Sequence, residues 1–263
     1  MKDDRLSTIR HFLYVNGPSS IQDLVTATGA SLATLRRDLG VLEEEGVIDR
    51  VHGGARLAEG SNIEVGFGER ENENIEAKRA IADAAYRMLK PHSTVFLDAG
   101  TTVLQLARRL RIEPLPLTVF TNGLAIAYAL LNTPKVQVTV LGGQLRNENA
   151  SIVGPLAESM LDRLWFDQLF LGAGAINGDN AIYSVDLSEA TINARMLSRA
   201  AQRLVLADHS KFARAATYLV APISATTHVV TDAGIAPEWR ERIRNVGVSL
   251  TVSGGVAAEE TPA

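Results

Sequence analysis

Cysteine is absent from the 263-residue chain. Disulfide bonds, cysteine-ligated metal sites and cysteine nucleophiles are therefore excluded. Aromatic residues are also scarce, at 5%, but hydrophobic residues reach 46%, which is typical of an ordinary soluble globular protein. The chain lacks an uninterrupted apolar run of about 18 residues, which a membrane-spanning helix needs. Because acidic residues stand where a signal peptide needs basic ones, we expect a cytoplasmic protein without a membrane partner.

An excess of positive charge is missing as well, since the formal net charge is -4. This balance argues against nonspecific coating of nucleic acid, although net charge does not determine what a local patch binds. The length favours two domains over one. The stretch "LAEGSNIEVGFGERENENI", residues 57–75, is polar and shows no sustained periodicity. We interpret it as a linker between a domain over residues 1–56 and a domain over residues 76–253.

The first 56 residues show the pattern of three short helices. Apolar residues at helical spacing predict a first helix that is stopped by Gly17-Pro18. A second helix follows in "SSIQDLVTAT", with Ser20 as N-cap, and ends at Gly29. A third begins with Ser31 as N-cap. Two short helices joined by a glycine-containing turn are typical of a helix-turn-helix, whose second helix lies in the major groove of DNA.

The third helix has two different faces. Four leucines form one apolar stripe that must pack on the other helices: Leu32, Leu35, Leu39 and Leu42. Arg37 lies directly opposite this stripe and Arg36 lies nearer its edge. A guanidinium there can fork onto a guanine edge or pair with phosphate, and small neighbours let the helix sit deep in the groove. The candidate DNA contacts on this helix are Ser31, Ala33, Thr34, Arg36 and Arg37.

A plainer interpretation of the two arginines remains open. They would then form exposed ion pairs with Asp38 or Glu43, which contribute little stability.

The next stretch, "GVIDRVHGGARL", predicts a two-stranded wing with a Gly-Gly turn. Such a wing would lay Arg50, His52 and Arg56 along the phosphate backbone. Residues 1–56 nevertheless hold seven Lys or Arg and eight Asp or Glu. One copy should therefore bind DNA modestly, and tight binding calls for a homo-oligomer, a dimer or tetramer, on two half-sites.

In the second domain, "STVFLDAGTTVLQLARRL" predicts a strand that ends at Asp98, a small polar loop and a helix that begins near Thr102. Free N–H groups and the helix dipole point at such a loop and make it a natural anion site. The hydroxyls of Thr101 and Thr102 would add hydrogen bonds to a phosphate. An ordinary strand-to-helix turn with threonine caps is the alternative.

Strand and helix then alternate, which predicts a parallel sheet with helices on its faces. Ligands bind at the carboxyl ends of the strands in such sheets. Loops at that edge contribute the candidate effector residues Asp98, Gly100, Thr101, Thr102, Thr121, Asn122, Gly142 and Gly143. Lys211, just beyond a strand that ends at Asp208, is a suitable cation for an anionic ligand or else an ordinary surface lysine. Gly172, Gly174 and Gly178 miss the dinucleotide-binding spacing by one residue, so no dinucleotide cofactor is predicted. We expect no other cofactor and no metal ion.

The first 55 residues resemble the N-terminal domain of the DeoR family of bacterial transcriptional regulators. The resemblance depends on Arg36-Arg37-Asp38-Leu39 and on His52-Gly53-Gly54. Residues 76–253 are similar to the sensor domain of that family, through "EAKRAIADAA", "LDAGTT", "LFLGAGAI" and "DHSKF". The resemblance implies an α/β protein with an N-terminal winged helix-turn-helix and a C-terminal, mostly parallel α/β sensor domain similar to ribose-5-phosphate isomerase.

The same resemblance implies a DNA-binding transcriptional regulator, most simply a repressor of carbohydrate metabolism genes, with double-stranded operator DNA as partner. A phosphorylated sugar or a related metabolite would bind at the Asp98–Thr102 loop and at Glu189. Family members often carry a Lys-Arg pair shortly after Glu189, where this chain has Asn193-Ala194. If that pair supports the site, the ligand here differs or binds weakly.

Two alternatives stay open. The first is a sugar-phosphate isomerase that uses the acidic groups and the cation of the same pocket, Asp98, Glu189, Asp208 and Lys211. No paired catalytic motif stands out, and we predict no enzyme. The second is a regulator that has lost its effector and acts constitutively.

Overall fold

The computed structural model describes residues 2–44, 47–51, 53–57 and 66–254. The chain divides into two compact units, Met1–Glu69 and Arg70–Ala263. Within residues 57–75, the stretch interpreted as a linker, a strand (Gly54–Leu57) ends at its first residue and a short helix spans Phe67–Asn72. Among the described residues no helix is both long and apolar enough to cross a membrane.

The first unit contains three helices and a small antiparallel sheet in the order β1-β3-β2. Its elements are α1 (Lys2–Asn16), β1 (Ser19–Ser20), α2 (Ile21–Thr28), α3 (Leu32–Glu44), β2 (Ile48–Val51) and β3 (Gly54–Leu57), followed by α4 (Phe67–Asn72). The helices and β2–β3 enclose one hydrophobic core, formed by Leu6, Ile9, Leu13, Leu24, Leu35, Leu39, Leu42, Ile48 and Ala55. This arrangement is a winged helix-turn-helix.

Local sequence accounts for the tight turns of this unit. Ser20 and Asp23 form a capping box at the start of α2, and Gly29 ends that helix with a left-handed φ of 64°. In the wing, a Cβ atom on Gly54 would lie 2.1 Å from the carbonyl oxygen of Ser19, so only glycine lets β1 and β3 approach.

Leu32 departs from the predicted leucine stripe, because it is 45% exposed while the other three leucines are buried. Helical side chains lean toward the preceding turn, and Leu32 is the first residue of α3. With no preceding turn to cover, its side chain projects beyond the helix end.

The second unit is built around a seven-stranded, fully parallel sheet in the order β15-β14-β12-β9-β4-β5-β6. Its strands are β4 (Thr94–Leu97), β5 (Leu117–Thr121), β6 (Val136–Val140), β9 (Phe166–Gly172), β12 (Ala200–Leu206), β14 (Thr227–Asp232) and β15 (Ser249–Ser253). The helices are α5 (Ile75–Tyr86), α6 (Thr101–Ile112), α7 (Leu124–Ala129), α8 (Pro155–Leu161), α9 (Leu187–Ser198) and α10 (Pro237–Asn245).

Two smaller antiparallel sheets accompany the main one. The hairpin β7 (Gln144–Arg146) and β8 (Ser151–Val153) forms one, and β10 (Ala175–Ile176), β11 (Ala181–Ser184) and β13 (Tyr218–Pro222) form the other.

The strand order contains a topological switch. The chain enters the main sheet at β4, adds β5 and β6 on one side, and then returns to place β9 on the other side of β4. In open parallel sheets, the crevice at the carboxyl ends of the strands beside such a switch is the usual ligand site. In this fold, the usual ligand site therefore lies at the loops after β4 and β9.

Candidate nucleic-acid interface and candidate effector site

The N-terminal end of α3 is open to solvent. The Thr34 N–H donates to Ser31 Oγ over 3.3 Å, and the Leu35 N–H donates to the Ser31 carbonyl oxygen over 2.9 Å, so Ser31 caps the helix. Ser31, Ala33, Arg36 and Arg37 are exposed, and Thr34 is half-buried. This end of the helix combines small residues with two long cations.

Asp38, in contrast, is buried and pairs with a residue of α1. Its buried carboxylate accepts two hydrogen bonds from Arg5, through Nε and, over 3.1 Å, through Nη2. A bidentate pair of this kind fixes geometry as well as adding energy. The proposed pairing of Asp38 with Arg36 or Arg37 is therefore wrong.

Glu43, the other proposed partner, lies 3.3 Å from the Nε of Arg50. Within the part of the chain that the structure describes, no hydrogen bond or ion pair engages the side chains of Arg36 and Arg37. Both guanidiniums are available to an external partner.

The wing cations are placed differently. Besides Glu43, Arg50 binds the carbonyl oxygen of Arg36 through Nη2 over 2.9 Å, which ties the wing to α3. Arg56 donates to Asp49 across the β2–β3 pair over 3.2 Å. A phosphate would have to compete with these carboxylates. His52, the third predicted wing contact, lies outside the described residues.

In the second unit, the loops after β4 and β9 meet at the switch. A Cβ atom on Gly100 would lie 3.2 Å from the Cα of Gly172, so the two backbones touch. Gly100 is the N-cap of α6 and provides no capping side chain, and buried Thr101 and Thr102 form its first turn. The first N–H groups of a helix have no partner within it. The structure thus places Gly100, Thr101 and Thr102 at a helix N-terminus that no side chain caps, and anion binding there stays a prediction.

Asp98 sits directly beneath this helix terminus. Its Oδ2 accepts the N–H of Gly172 over 3.0 Å, while its buried Oδ1 has no hydrogen-bond partner among the described residues. Burial, reinforced by the nearby charge of Glu189, raises the pKa of Asp98 to about 7. Hydrogen bonds from backbone N–H groups and the charge of Arg70 offset part of this rise.

The loop after β5 supports the site from the side. Asn122 accepts the N–H of Ala99 over 3.2 Å and donates to the carbonyl oxygen of Ile152 over 3.3 Å. Thr121 Oγ1 accepts the N–H of Gly123 over 2.9 Å. Asn122 therefore joins neighbouring loops, and Thr121 fixes the turn of its own loop, so the described contacts give both buried side chains a positioning role.

The two glycines after β6 have a packing role in the described contacts. Gly143 has φ +157°, and a Cβ atom there would come within 2.7 Å of the side chain of Ile152. A Cβ atom on Gly142 would meet Leu156 and Met160 at 3.7 Å. Gly143 therefore lets the β7–β8 hairpin close onto this end of the sheet.

Glu189 lies near the start of α9 and is held by several polar groups. Its Oε2 accepts the hydroxyl of Ser184 over 3.0 Å, and its Oε1 accepts the amide of Asn149. Arg146 lies 3.8 Å from the same carboxylate. Asn149 in turn accepts a 2.6 Å hydrogen bond from Arg70. Glu189 is therefore linked to Arg70 through Asn149, and its charge also acts on Asp98.

Lys78 is a site residue that we did not predict. It is fully buried on α5 and donates to the carbonyl oxygen of Arg70. Burial lowers its pKa to about 8, against the opposing attraction of Asp208. The signal was present in the sequence, because a lysine at the spacing of Ile81, Ala82 and Ala85 stands on the apolar stripe of a helix.

Lys211 is buried at 8% exposure, so the interpretation of it as a surface lysine is wrong. It lies close to Asp208, whose Oδ1 accepts the amide of Asn74 over 3.1 Å. Burial alone would raise the pKa of Asp208, but Lys211, the hydrogen bonds of Ser210 and Lys78 together lower it.

These groups form one continuous polar network at the carboxyl edge of the sheet, which we call the carboxyl-edge cluster. Its members are Arg70, Lys78, Asp98, Asn149, Glu189, Asp208 and Lys211. The described residues include no group of three His, Asp or Glu that could hold a metal ion. The cluster has the cations and the acceptors that recognise a ligand with both a phosphate and hydroxyl groups.

Asn193, which replaces the first cation of the family's Lys-Arg pair, is buried, and its Oδ1 has no hydrogen-bond partner among the described residues. Ala194 packs against the main hydrophobic core. This part of α9 therefore adds no charge to the site.

Two family models match the chain. Residues 5–60 match the DeoR-like helix-turn-helix domain, and residues 73–233 match the DeoR C-terminal sensor domain. Together they cover most of the chain.

Curated relatives match over nearly the full length. The HTH-type transcriptional regulator GlpR of Haloferax volcanii is 38% identical over 90% of this chain and 92% of its own. The putative aga operon transcriptional repressor of Escherichia coli O157:H7 is 32% identical over 95% and 94%, respectively. The lactose phosphotransferase system repressor of Lactococcus lactis is 30% identical over 91% and 94%.

Among solved structures, ribose 5-phosphate isomerase A of Methanocaldococcus jannaschii is similar over 53% of this chain and 55% of its own. The sequence identity is 18% and the TM-score is 0.39.

Proposed function

Because the chain belongs to the DeoR family of transcriptional regulators, we propose that it represses carbohydrate metabolism genes by binding double-stranded operator DNA, and that a phosphorylated sugar releases it. The family consists of regulators and not of enzymes, so the isomerase alternative is set aside. The observation that carries the proposal is the pair Arg36 and Arg37, which are exposed on α3 while the neighbouring charged groups are engaged within the protein.

In the proposed complex, the N-terminal end of α3 enters the major groove. Arg37, opposite the leucine stripe, forks onto a guanine edge, and Arg36 pairs with phosphate. Ser31, Ala33 and Thr34 are short enough to let the helix backbone approach the bases. Arg5 fixes the rotation of α3 about its axis through its bidentate contact with Asp38, so different residues of α3 read the bases and position the helix.

In this proposal, the main role of Arg50 and Arg56 is to hold the wing in place beside α3. Arg50 holds the wing against α3, and Arg56 joins the two wing strands through Asp49. His52 remains a proposed phosphate contact.

The effector is proposed to bind at the carboxyl-edge cluster. Its phosphate would occupy the N-terminus of α6, where Gly100 leaves room and Thr101 and Thr102 can donate hydrogen bonds. Lys211 and Lys78 supply positive charge. The free Oδ1 of Asp98 would hydrogen-bond a sugar hydroxyl in either protonation state, because a protonated carboxyl donates and an ionised one accepts.

Release from DNA requires that the effector bind the DNA-competent and DNA-incompetent states of the protein with different affinities. An effector can lower operator affinity only if it binds the DNA-incompetent state more tightly, and operator DNA then lowers effector affinity by the same factor. We expect this reciprocity to be measurable as a coupling of about 1–3 kcal/mol, or roughly 5- to 150-fold.

The deciding experiment is an operator-binding titration on DNA from upstream of the neighbouring genes, repeated with a panel of pentose and hexose phosphates. One sugar phosphate should weaken binding, while its unphosphorylated sugar should not. A Thr101→Val variant should bind the same DNA and ignore the effector. Sequence-specific binding that no sugar phosphate alters would support a constitutive regulator and contradict the effector proposal.

A further inference from the structure

Strand β6 leaves one side of the main sheet open. Among the described strands it has a single neighbour, β5. Its sequence, Val136-Gln137-Val138-Thr139-Val140, contains no charge and no proline. Natural proteins protect exposed strand edges with charged residues, proline or bulges, because unpaired N–H and C=O groups invite another strand. Within β6 itself, none of these devices is present.

Apolar side chains surround this edge. Leu124 and Tyr128 on α7 and Leu131 in the turn just after it are 40%, 78% and 57% exposed. Leu145 on β7 and Leu156 on α8 are exposed as well. The β6 edge surface comprises β6 together with Leu124, Tyr128, Leu131, Leu145 and Leu156.

The described contacts show that these parts adjoin one another. The Leu124 N–H donates to the carbonyl oxygen of Ala150, in the turn that connects β7 to β8, over 3.0 Å. A Cβ atom on Gly142, just after β6, would lie 3.7 Å from the side chain of Leu156. Exposed side chains of this size together present on the order of 600 Å², against about 800 Å² per partner in a standard interface.

The sequence of β6 is self-complementary. If two β6 strands pair antiparallel about Val138, Val136 faces Val140 and Gln137 faces Thr139 of the other copy. No charged residue then meets a like charge, and every contact occurs twice, as a two-fold interface requires. An unrelated partner would have no need of this symmetry. A regulator whose DNA-binding unit holds as many acidic as basic groups also has a use for two copies on two half-sites.

We propose that two copies of this chain associate through their β6 edge surfaces, so that the sheet of one copy continues into the sheet of the other. This inference depends on β6 and its surroundings and not on the identity of the effector or the operator.

The test uses sedimentation velocity on the full chain and two charge variants. Gln137→Lys/Thr139→Lys and Gln137→Glu/Thr139→Glu each place like charges across the two-fold axis, and each should weaken self-association by on the order of 100-fold, because like charges that face each other cost several kcal/mol. Mixed in equal amounts, they should form a mixed dimer, because each lysine then faces a glutamate. Leu219→Glu, at an exposed leucine on β13, is the matched control and should leave the dimer intact.

Thermal melts report whether the variants fold. If the strand variants unfold, Tyr128→Glu/Leu131→Glu tests the same surface from exposed positions on α7 and in the turn after it, and this variant should also be a monomer. A monomeric wild type, dimers that persist in these variants, or folded strand variants that fail to form a mixed dimer would each overturn the proposal. Operator binding is measured separately. A dimer that does not bind operator DNA would contradict the proposed function but would still support the proposed interface.

Discussion

The two units differ in the exposure of the charged residues at their candidate sites. On α3, Arg36 and Arg37 are exposed and their guanidiniums form no hydrogen bond or ion pair with described residues, whereas Lys78, Asp98 and Lys211 are buried in a shared network. A surface that meets a polyanion needs cations that cost little to keep in water until the partner arrives. A pocket for a small ligand needs charges that are already desolvated and oriented. The contrast predicts different sensitivities to mutation and to pH.

The largest expected effect is on the exposed side of this comparison. Arg37→Ala should remove a guanine contact worth about 1–3 kcal/mol per half-site, and should thus lower the operator affinity of a dimer by roughly 30-fold to 20,000-fold. The melting transition should hardly change. Fluorescence anisotropy on operator and on scrambled DNA measures both affinity and specificity. Arg163→Ala, an exposed arginine of the second unit, is the control; undiminished specific binding by Arg37→Ala would refute the groove assignment.

The second prediction concerns pH. Since burial raises the pKa of Asp98 from near 4 to about 7, its contribution to stability is fully present below pH 4. That contribution is lost as pH rises through 7, and it amounts to about 2–3 kcal/mol between pH 5 and pH 7. The lowered pKa of Lys78, about 8, lies above this window. The free energy of unfolding in urea, determined for wild type and Asp98→Asn at several pH values, measures this contribution. Parallel pH profiles would show that Asp98 titrates normally.

The third prediction separates the pocket from the DNA surface. Lys211→Met keeps the length of the buried side chain and removes its charge. We expect effector affinity to fall about tenfold to 100-fold, the range of one charge-assisted hydrogen bond, with operator affinity unchanged. Calorimetric titration with the active sugar phosphate gives the first quantity. An unaltered effector response would place the ligand elsewhere.

The smallest effect is expected at the wing. If Arg50 only positions the wing, Arg50→Gln should weaken operator binding less than about fivefold, because exposed ion pairs contribute up to about 1 kcal/mol. The slope of affinity against salt should stay the same. A direct phosphate contact would instead reduce that slope by about 1. Arg56→Gln, at the other paired cation of the wing, provides the matched comparison.

Much of the first unit could be predicted because its determinants are local. Ser20, Gly29 and the leucine periodicity act within a few residues, and helix ends and turns follow from them. The exposure of Leu32 was missed because helical periodicity takes no account of the helix end. The pairing of Arg50 with Glu43 depends on where β2 lies relative to α3, which no local pattern specifies.

For the second unit, the alternation of strand and helix predicted the parallel sheet, and the ends of β4 and β5 do lie side by side, joined by Asn122. Lys78 and Arg70 were missed because the burial of a lysine and the contacts of an arginine are tertiary properties. The roles of individual residues in binding remain predictions.

The contact between Arg5 and Asp38 has a practical consequence for work with this protein. Arg5 lies in the first turns of α1, so deleting those turns would leave the Asp38 carboxylate buried without its cation. An unpaired buried charge is costly. We therefore expect a shortened version that starts at α2 to misalign α3, the helix that is proposed to contact DNA.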